Sequence, residues 1–224
     1  LFNTGHLQGK TVMITAGPTR EAIDPVRYIS NHSSGKQGYA LAAAAADAGA
    51  QVILVSGPTN LTAPDRVELI QVISAQDMHA AVQERIALTD VFIGVAAVAD
   101  YRPKLVQQHK IKKDHNGQRA LHLELVENPD VIAEVAKRAD KPFTIGFAAE
   151  TEQVEAYARK KLIDKKLDMI VANNVSNTDI GFNSDVNAIT VYFQDRAIDL
   201  PKMSKRILSE HLVELISQQL IEAL

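Results

Sequence analysis

Short apolar runs alternate along the chain with longer stretches of helical periodicity. Lys10–Ala16 (KTVMITA) is a short β-branched run, and Gly17-Pro18 ends it, so it predicts a buried strand and a turn. Gly38–Ala48 is alanine-rich and unbroken and predicts a helix that Gly49 terminates. Gln51–Ser56 (QVILVS) predicts a second strand, stopped by Gly57-Pro58. Strand, helix and strand in this order make a right-handed βαβ unit. Strands apolar on both faces belong to parallel sheets covered by helices.

The pattern then repeats. Val67–Val72 predicts a strand; Ser74, with Asp77 three residues on, predicts a capped helix whose stripe is Met78, Ala81, Val82 and Ile86. Asp90–Ala97 predicts a buried strand. Asn128-Pro129-Asp130 predicts a helix start with Asn128 as cap and Pro129 at the first position. Phe143–Ala148 predicts a strand, Val154–Lys166 a helix and Asp168–Ala172 a strand. Asn187–Phe193 and Ala197–Leu200 flank Gln194-Asp195-Arg196 and predict a hairpin, and Met203–Leu224 predicts a closing amphipathic helix. With no internal repeat or low-complexity linker, residues 1–224 read as a single α/β domain of Rossmann-like type: a mostly parallel sheet flanked by helices, with a C-terminal β-hairpin and helix.

Composition narrows the function. A formal net charge of -3 argues against a nucleic-acid binder, which carries a strongly basic face. At 46% hydrophobic residues the chain can bury a core. The absence of cysteine excludes disulfides, thiolate metal sites and a cysteine nucleophile, and it fits a reducing compartment. No run approaches the ~20 apolar residues of a membrane span, so no membrane is expected. The start at Leu1 is polar and lacks a signal peptide, which suits a fragment of a longer polypeptide.

Ligands of such a sheet bind beyond the carboxyl ends of its strands. Those ends carry Gly17–Glu21, Ser56–Thr59, Ala97–Tyr101, Phe147–Glu150 and Asn173-Asn174, rich in glycine, hydroxyls and amides. The densest group of donors is Arg27–Gly38 (RYISNHSSGKQG), just before the alanine helix. There Gly35 and Gly38 predict close backbone approach to a ligand, the helix start favours an anion, and Ser33, Ser34 and Lys36 add donors. Ser30 and Gln37 stand where a Walker loop requires glycine and a hydroxyl. The second strand ends in Ser56-Gly57-Pro58 rather than in the acid that holds a dinucleotide ribose, so NAD is disfavoured. Arg102–Arg119 is basic and includes Lys110-Ile111-Lys112-Lys113; it reads either as a solvated loop or as a lid that brings ammonium groups to a polyphosphate. Asp130 reads as dipole compensation for its helix, whose first-turn N–H groups are equally an anion site. Lys161 and Lys165 are one turn apart on one helix face. The seven histidines show no metal-ligand spacing.

Several of these segments together resemble a known family. Ile14–Glu21 (ITAGPTRE), Asp24–Lys36 (DPVRYISNHSSGK), Ala96–Tyr101 (AAVADY), Lys110–Lys113, Asn128–Asp130, Gly146–Glu150 (GFAAE) and Gly181–Asp185 (GFNSD) resemble bacterial phosphopantothenoylcysteine synthetase from about Lys10 to the C-terminus. The resemblance implies a cytoplasmic ligase of coenzyme A biosynthesis that joins 4'-phosphopantothenate to L-cysteine. CTP with Mg²⁺ would activate the acid as an acyl-cytidylate. It implies a homodimer, and often fusion to an N-terminal flavin-dependent decarboxylase, with FMN expected only on that other domain. By the same resemblance Asn31 holds the acyl intermediate and Lys110 stabilises charge during transfer. Arg27, Ala96 and Ala97 grip the phosphopantothenate. Gly94, Val95, Ala96, Asp100, Lys110, Pro129, Asp130, Val131, Ile132, Phe147, Lys161 and Lys165 match nucleotide positions, while the metal ligands stay open. The dimer contact falls on the Asn187–Leu200 hairpin or on residues 101–125. The rival readings are an NAD(P)-linked reductase and a non-catalytic nucleotide-binding module of the same fold.

Overall fold

The computed structural model describes residues 5–112, 120–150, 152–174 and 184–222, with the backbone alone described at Glu150 and Asn174. Lys113 and Gly181–Asn183, named by the resemblance, lie outside the described residues.

Six parallel strands form the body of the sheet: β1 (Thr11–Ala16), β4 (Gln51–Ser56), β5 (Val67–Gln71), β6 (Val91–Gly94), β9 (Phe143–Glu150) and β10 (Met169–Asn174). Two antiparallel strands, β11 (Val186–Tyr192) and β12 (Ala197–Ser204), extend it beside β10. The spatial order is β12-β11-β10-β9-β6-β1-β4-β5. The chain therefore runs outward from β1 through β4 to β5, then returns to β6 on the other side of β1. This is the doubly wound arrangement, and its direction reverses between β1 and β6.

Among the described residues five α-helices cover the two faces: α1 (Lys36–Asp47), α2 (Ala75–Arg85), α3 (Val131–Ala136), α4 (Val154–Asp164) and α5 (Lys205–Glu222). Strand pleating sends Val12, Ile14 and Ala16 to the face under α1 and α5, where they join Leu41, Ala45, Leu208 and Leu212. Met13 goes to the opposite face, with Met78 and Val82 of α2, Phe92, and Val131 and Val135 of α3. Burial on both faces is the reason that β1 carries consecutive apolar residues, Val12–Ile14, rather than an alternating pattern. Ser74 and Asp77 form a reciprocal capping box at the start of α2, as the spacing predicts.

Several boundaries differ from the sequence reading, and four of them have a clear physical cause. β6 stops at Gly94, not Ala97, because Ala97 donates to the Gly17 carbonyl instead (2.9 Å) and the chain turns across the end of β1. α3 begins after Asp130, whose carboxylate accepts from the Ala133 N–H (3.1 Å); Asn128 is not the cap and Pro129 precedes the helix. β12 runs on to Ser204 by pairing with Val186, so α5 starts at Lys205. α1 starts at Lys36, two residues earlier than Gly38, because Gly35 (φ 77°) turns the chain into it. The sequence pattern also missed two ribbons of three-residue strands: β2 (Arg20–Ala22) with β3 (Tyr28–Ser30), and β7 (Tyr101–Pro103) with β8 (Leu125–Glu127). Three residues are too few for period-two alternation to register.

Candidate active site

A cavity of about 650 Å³ opens where the strand order reverses. Gly94 to Tyr101 form one wall, the start of α1 (Ser33 to Gly38) a second, and Pro129 to Ile132 a third, with Phe147, Lys161 and Lys165 across from them. Every nucleotide position that the resemblance implies lines this cavity except Lys110, and Ala96 and Ala97 line it as well. Residues from the ends of β1, β6, β9 and β10 meet here because parallel strands present all their carboxyl ends to one edge.

The loops after β1 and β6 are cross-braced. Thr19 donates its N–H to Ala97 O (3.3 Å), and its hydroxyl accepts from the Ala99 N–H (3.0 Å). Asn128 donates Nδ2–H to Ala99 O (2.8 Å) and accepts from Arg102 at Oδ1 (3.1 Å). Glu21, fully enclosed, accepts from the Ala75 N–H at the start of α2 (3.0 Å). The residues of Gly17–Glu21 thus serve mainly as a frame. Ser56–Thr59 does not line the cavity: Ser56 and Thr59 each lie 3.2 Å from the Tyr39 hydroxyl and seat α1.

Gly35 and Gly38 do line the cavity, but their missing side chains make room for protein. A Cβ on Gly38 would stand 2.5 Å from the Ala16 side chain, and one on Gly35 would stand 2.8 Å from that of Thr59. The two glycines let α1 press onto β1 and the β4 loop. No side chain caps α1, and no acidic residue occupies its first turn, so among the described residues its positive end faces the cavity with no carboxylate on its first N–H groups. At α3, Asp130 supplies its own cap by accepting from the Ala133 N–H and pairs with Lys165 (2.8 Å), as dipole compensation predicts.

Cations converge on the same space. Lys36, Lys161, Lys165 and Lys205 all line it. Lys36 pairs with Asp185 (2.6 Å), and the resulting ion pair holds the Asp185 carboxyl below its usual range. Lys205 is 6% exposed. Burial first, and then the Lys36 charge, push its ammonium down to about 8, with Asp185 opposing. The sequence reading passed over Lys205. The signal was its position: a lysine opening a helix sits at the wrong end of the dipole unless something anionic answers it.

Three implied residues stand outside the lining. Asn31 is exposed and donates Nδ2–H to Ala97 O (3.2 Å) and Val98 O (3.1 Å), which fixes its amide against the cavity wall. Arg27 is exposed and paired with Asp24. Lys110 is exposed, one residue before Ile111, whose N–H also reaches Asp24 (3.1 Å). Among the described residues, no three His, Asp or Glu side chains cluster as a metal site, and no helix is long and apolar enough to cross a membrane.

Comparison with known proteins gives a consistent set of relatives. The family model for the DNA/pantothenate metabolism flavoprotein C-terminal domain matches residues 7–220. The coenzyme A biosynthesis bifunctional protein CoaBC of Vibrio cholerae is 53% identical over 96% of this chain, which spans only 54% of that protein. The crystal structure of the C-terminal domain of a CoaBC protein superposes with a TM-score of 0.83 at 45% identity, covering 97% of this chain and 99% of that one. A Cab2 variant in complex with phosphopantothenate-cysteine shares the fold (TM-score 0.77, 14% identity, 96% of this chain and 88% of that one).

Proposed function

The chain belongs to the DNA/pantothenate metabolism flavoprotein C-terminal domain family and corresponds to the C-terminal, synthetase half of the CoaBC proteins; from that premise we propose that it is a CTP-dependent ligase joining 4'-phosphopantothenate to L-cysteine. The observation that carries the reading is the cavity at the switch point. An uncapped helix start and four lysines surround it, and an amide-bearing loop forms its wall.

In the first step the phosphopantothenate carboxylate attacks the α-phosphorus of CTP. The P–O bond to the β-phosphate breaks, giving acyl-cytidylate and pyrophosphate. Two polyanions must approach each other, which requires fixed positive charge. The α1 N-terminus with Lys36 and Lys205 supplies it on one side, and Lys161 and Lys165 supply it on the other. Phe147 and the Gly94–Ala97 backbone give the base an apolar and hydrogen-bonding wall. Asp100, which lines the cavity, is the carboxylate that would help to hold a nucleotide-bound Mg²⁺. The ion would supply charge neutralisation at the phosphates.

In the second step the cysteine amine attacks the acyl carbon, and CMP leaves with the bonding pair. Asn31, whose amide donates to the carbonyls of Ala97 and Val98, would steady the acyl group, and Arg27 would grip phosphopantothenate, as the family resemblance implies. Lys110 adds charge to the transfer. A second copy of the chain is part of the reading. Val26, Tyr28, Tyr101, Leu105, Val106 and Leu125 leave large apolar surface exposed on or beside the two ribbons, up to 70% at Leu105. The same reading places the enzyme in the cytoplasm and, in its full-length form, beside an FMN-binding decarboxylase domain.

The test is pyrophosphate release with CTP, Mg²⁺, 4'-phosphopantothenate and cysteine together, with trapping of the acyl-cytidylate when cysteine is omitted. Thermal protection by NADPH or ATP but not by CTP would overturn the nucleotide assignment.

A further inference from the structure

Asp24 is a buried carboxylate outside the cavity, and its hydrogen bonds cross between two distant parts of the chain. Its side chain is 0% exposed. Oδ1 accepts from the N–H groups of Val26 (2.8 Å) and Arg27 (2.9 Å), closing the turn between β2 and β3. Oδ2 accepts from Arg27 Nε (3.0 Å) and Nη2, and also from the N–H of Ile111 (3.1 Å), 87 residues away in sequence. The same guanidinium donates Nη2–H to the Ile111 carbonyl (2.9 Å). Both backbone polar groups of Ile111 are therefore held by one ion pair. Beside this clasp, the Gln107 N–H donates to Ile23 O (3.0 Å), so the segment is docked at two points four residues apart. Lys110 lies between them, next to the clasp.

The geometry points to Asp24 as a positioning residue that, with Arg27, fastens the backbone carrying Lys110. This rests on the proposed role of Lys110 in the transfer. An exposed lysine on a free loop samples many positions, and restricting its stem concentrates the ammonium where charge develops. Backbone anchoring suits this task because it fixes the main chain and leaves the Nζ group unspent. A carboxylate also fits where an amide would not, because every group facing Oδ2 is a donor. The Arg27 side chain and the turn amides hold the Asp24 carboxyl well below the usual carboxylate range, so it stays charged across the working range of pH.

Asp24→Asn is the informative variant. It keeps the Oδ1 acceptor for the turn, but it can set an amide donor against the Ile111 N–H and the guanidinium. Hydrogen exchange is followed in the intact protein. The expected result is exchange at Ile111 about tenfold to a hundredfold faster, the range for losing a hydrogen bond to a charged acceptor, with core amides such as those of Ile14 and Val55 unchanged. Turnover, read as pyrophosphate release, is expected to fall about tenfold in Asp24→Asn, with Asp24→Asn/Lys110→Gln no slower than Lys110→Gln alone. Unchanged exchange at Ile111, or losses that multiply in the double variant, overturns the assignment. If the wild-type protein releases no pyrophosphate from CTP, the functional reading falls, while the clasp still stands or falls on the exchange at Ile111.

Discussion

Lys205 offers a sharp test of the cavity's electrostatics. Its pKa lies at about 8, against an ordinary 10.5, chiefly because the side chain is buried and secondarily because Lys36 is close. That displacement corresponds to about 3 kcal/mol of disfavour for the charged form. A polyphosphate entering the cavity adds negative charge beside the ammonium and returns the pKa toward 10.5. At pH 8 about half of the Lys205 side chains are neutral in the free protein, so CTP–Mg²⁺ binding is expected to take up about half a proton. Titration calorimetry at pH 8 in Tris and in HEPES measures this directly, because the two buffers release different heats on ionisation. In Lys205→Met the uptake should vanish and the affinity should fall about tenfold to a hundredfold, the range for a charge-assisted hydrogen bond. Buffer-independent heat in the wild-type protein, or unchanged uptake in the variant, would refute the reasoning.

Further outcomes follow from other contacts. In Asn31→Asp a carboxylate replaces the donor amide opposite Ala97 O and Val98 O; pyrophosphate release should persist while acyl-cytidylate accumulates, as quenched-reaction chromatography would reveal. Gly38→Ala puts a Cβ 2.5 Å from the Ala16 side chain; between two packed backbones this overpacking should cost about 1–3 kcal/mol in urea unfolding. The Asp24 carboxyl has a folded pKa below its unfolded value, so its contribution is present above about pH 4 and is lost as pH falls through the folded value. The stability gap between wild type and Asp24→Asn should therefore narrow from pH 5 to pH 2. Lys205 acts in the opposite range. Between its folded and unfolded pKa values the unfolded chain binds more protons, so its contribution should rise from about pH 8 to pH 10.5, a rise absent in Lys205→Met.

The parallel body of the fold is legible in the sequence because strands buried on both faces are apolar through their middles, as Val12–Ile14 of β1 and Val52–Val55 of β4 are. The capping box of α2 is legible for a similar reason, since both partners lie within one turn. Asn128 misled because an Asn before Pro-Asp is a good cap in isolation. In the fold its amide is spent instead on Ala99 and Arg102, and Asp130 takes the cap. Gly35 and Gly38 were legible as places needing glycine, but not as to why. Whether a missing side chain admits a ligand or a neighbouring strand depends on what tertiary packing brings opposite it.

Local periodicity and turn chemistry determined the order of the long strands and helices, the strand-end placement of the cavity and the family likeness, because each is written in residues within a turn or two of one another; the two three-residue ribbons were not so written. Tertiary structure alone decided which charges meet. Lys36 finds Asp185, and Lys205 is carried under α1 to the cavity. Asp24 reaches Ile111 across most of the first half of the chain. Such encounters are set by how the sheet stacks its strand ends and how the ribbons fold over them, and no spacing along the chain encodes that distance.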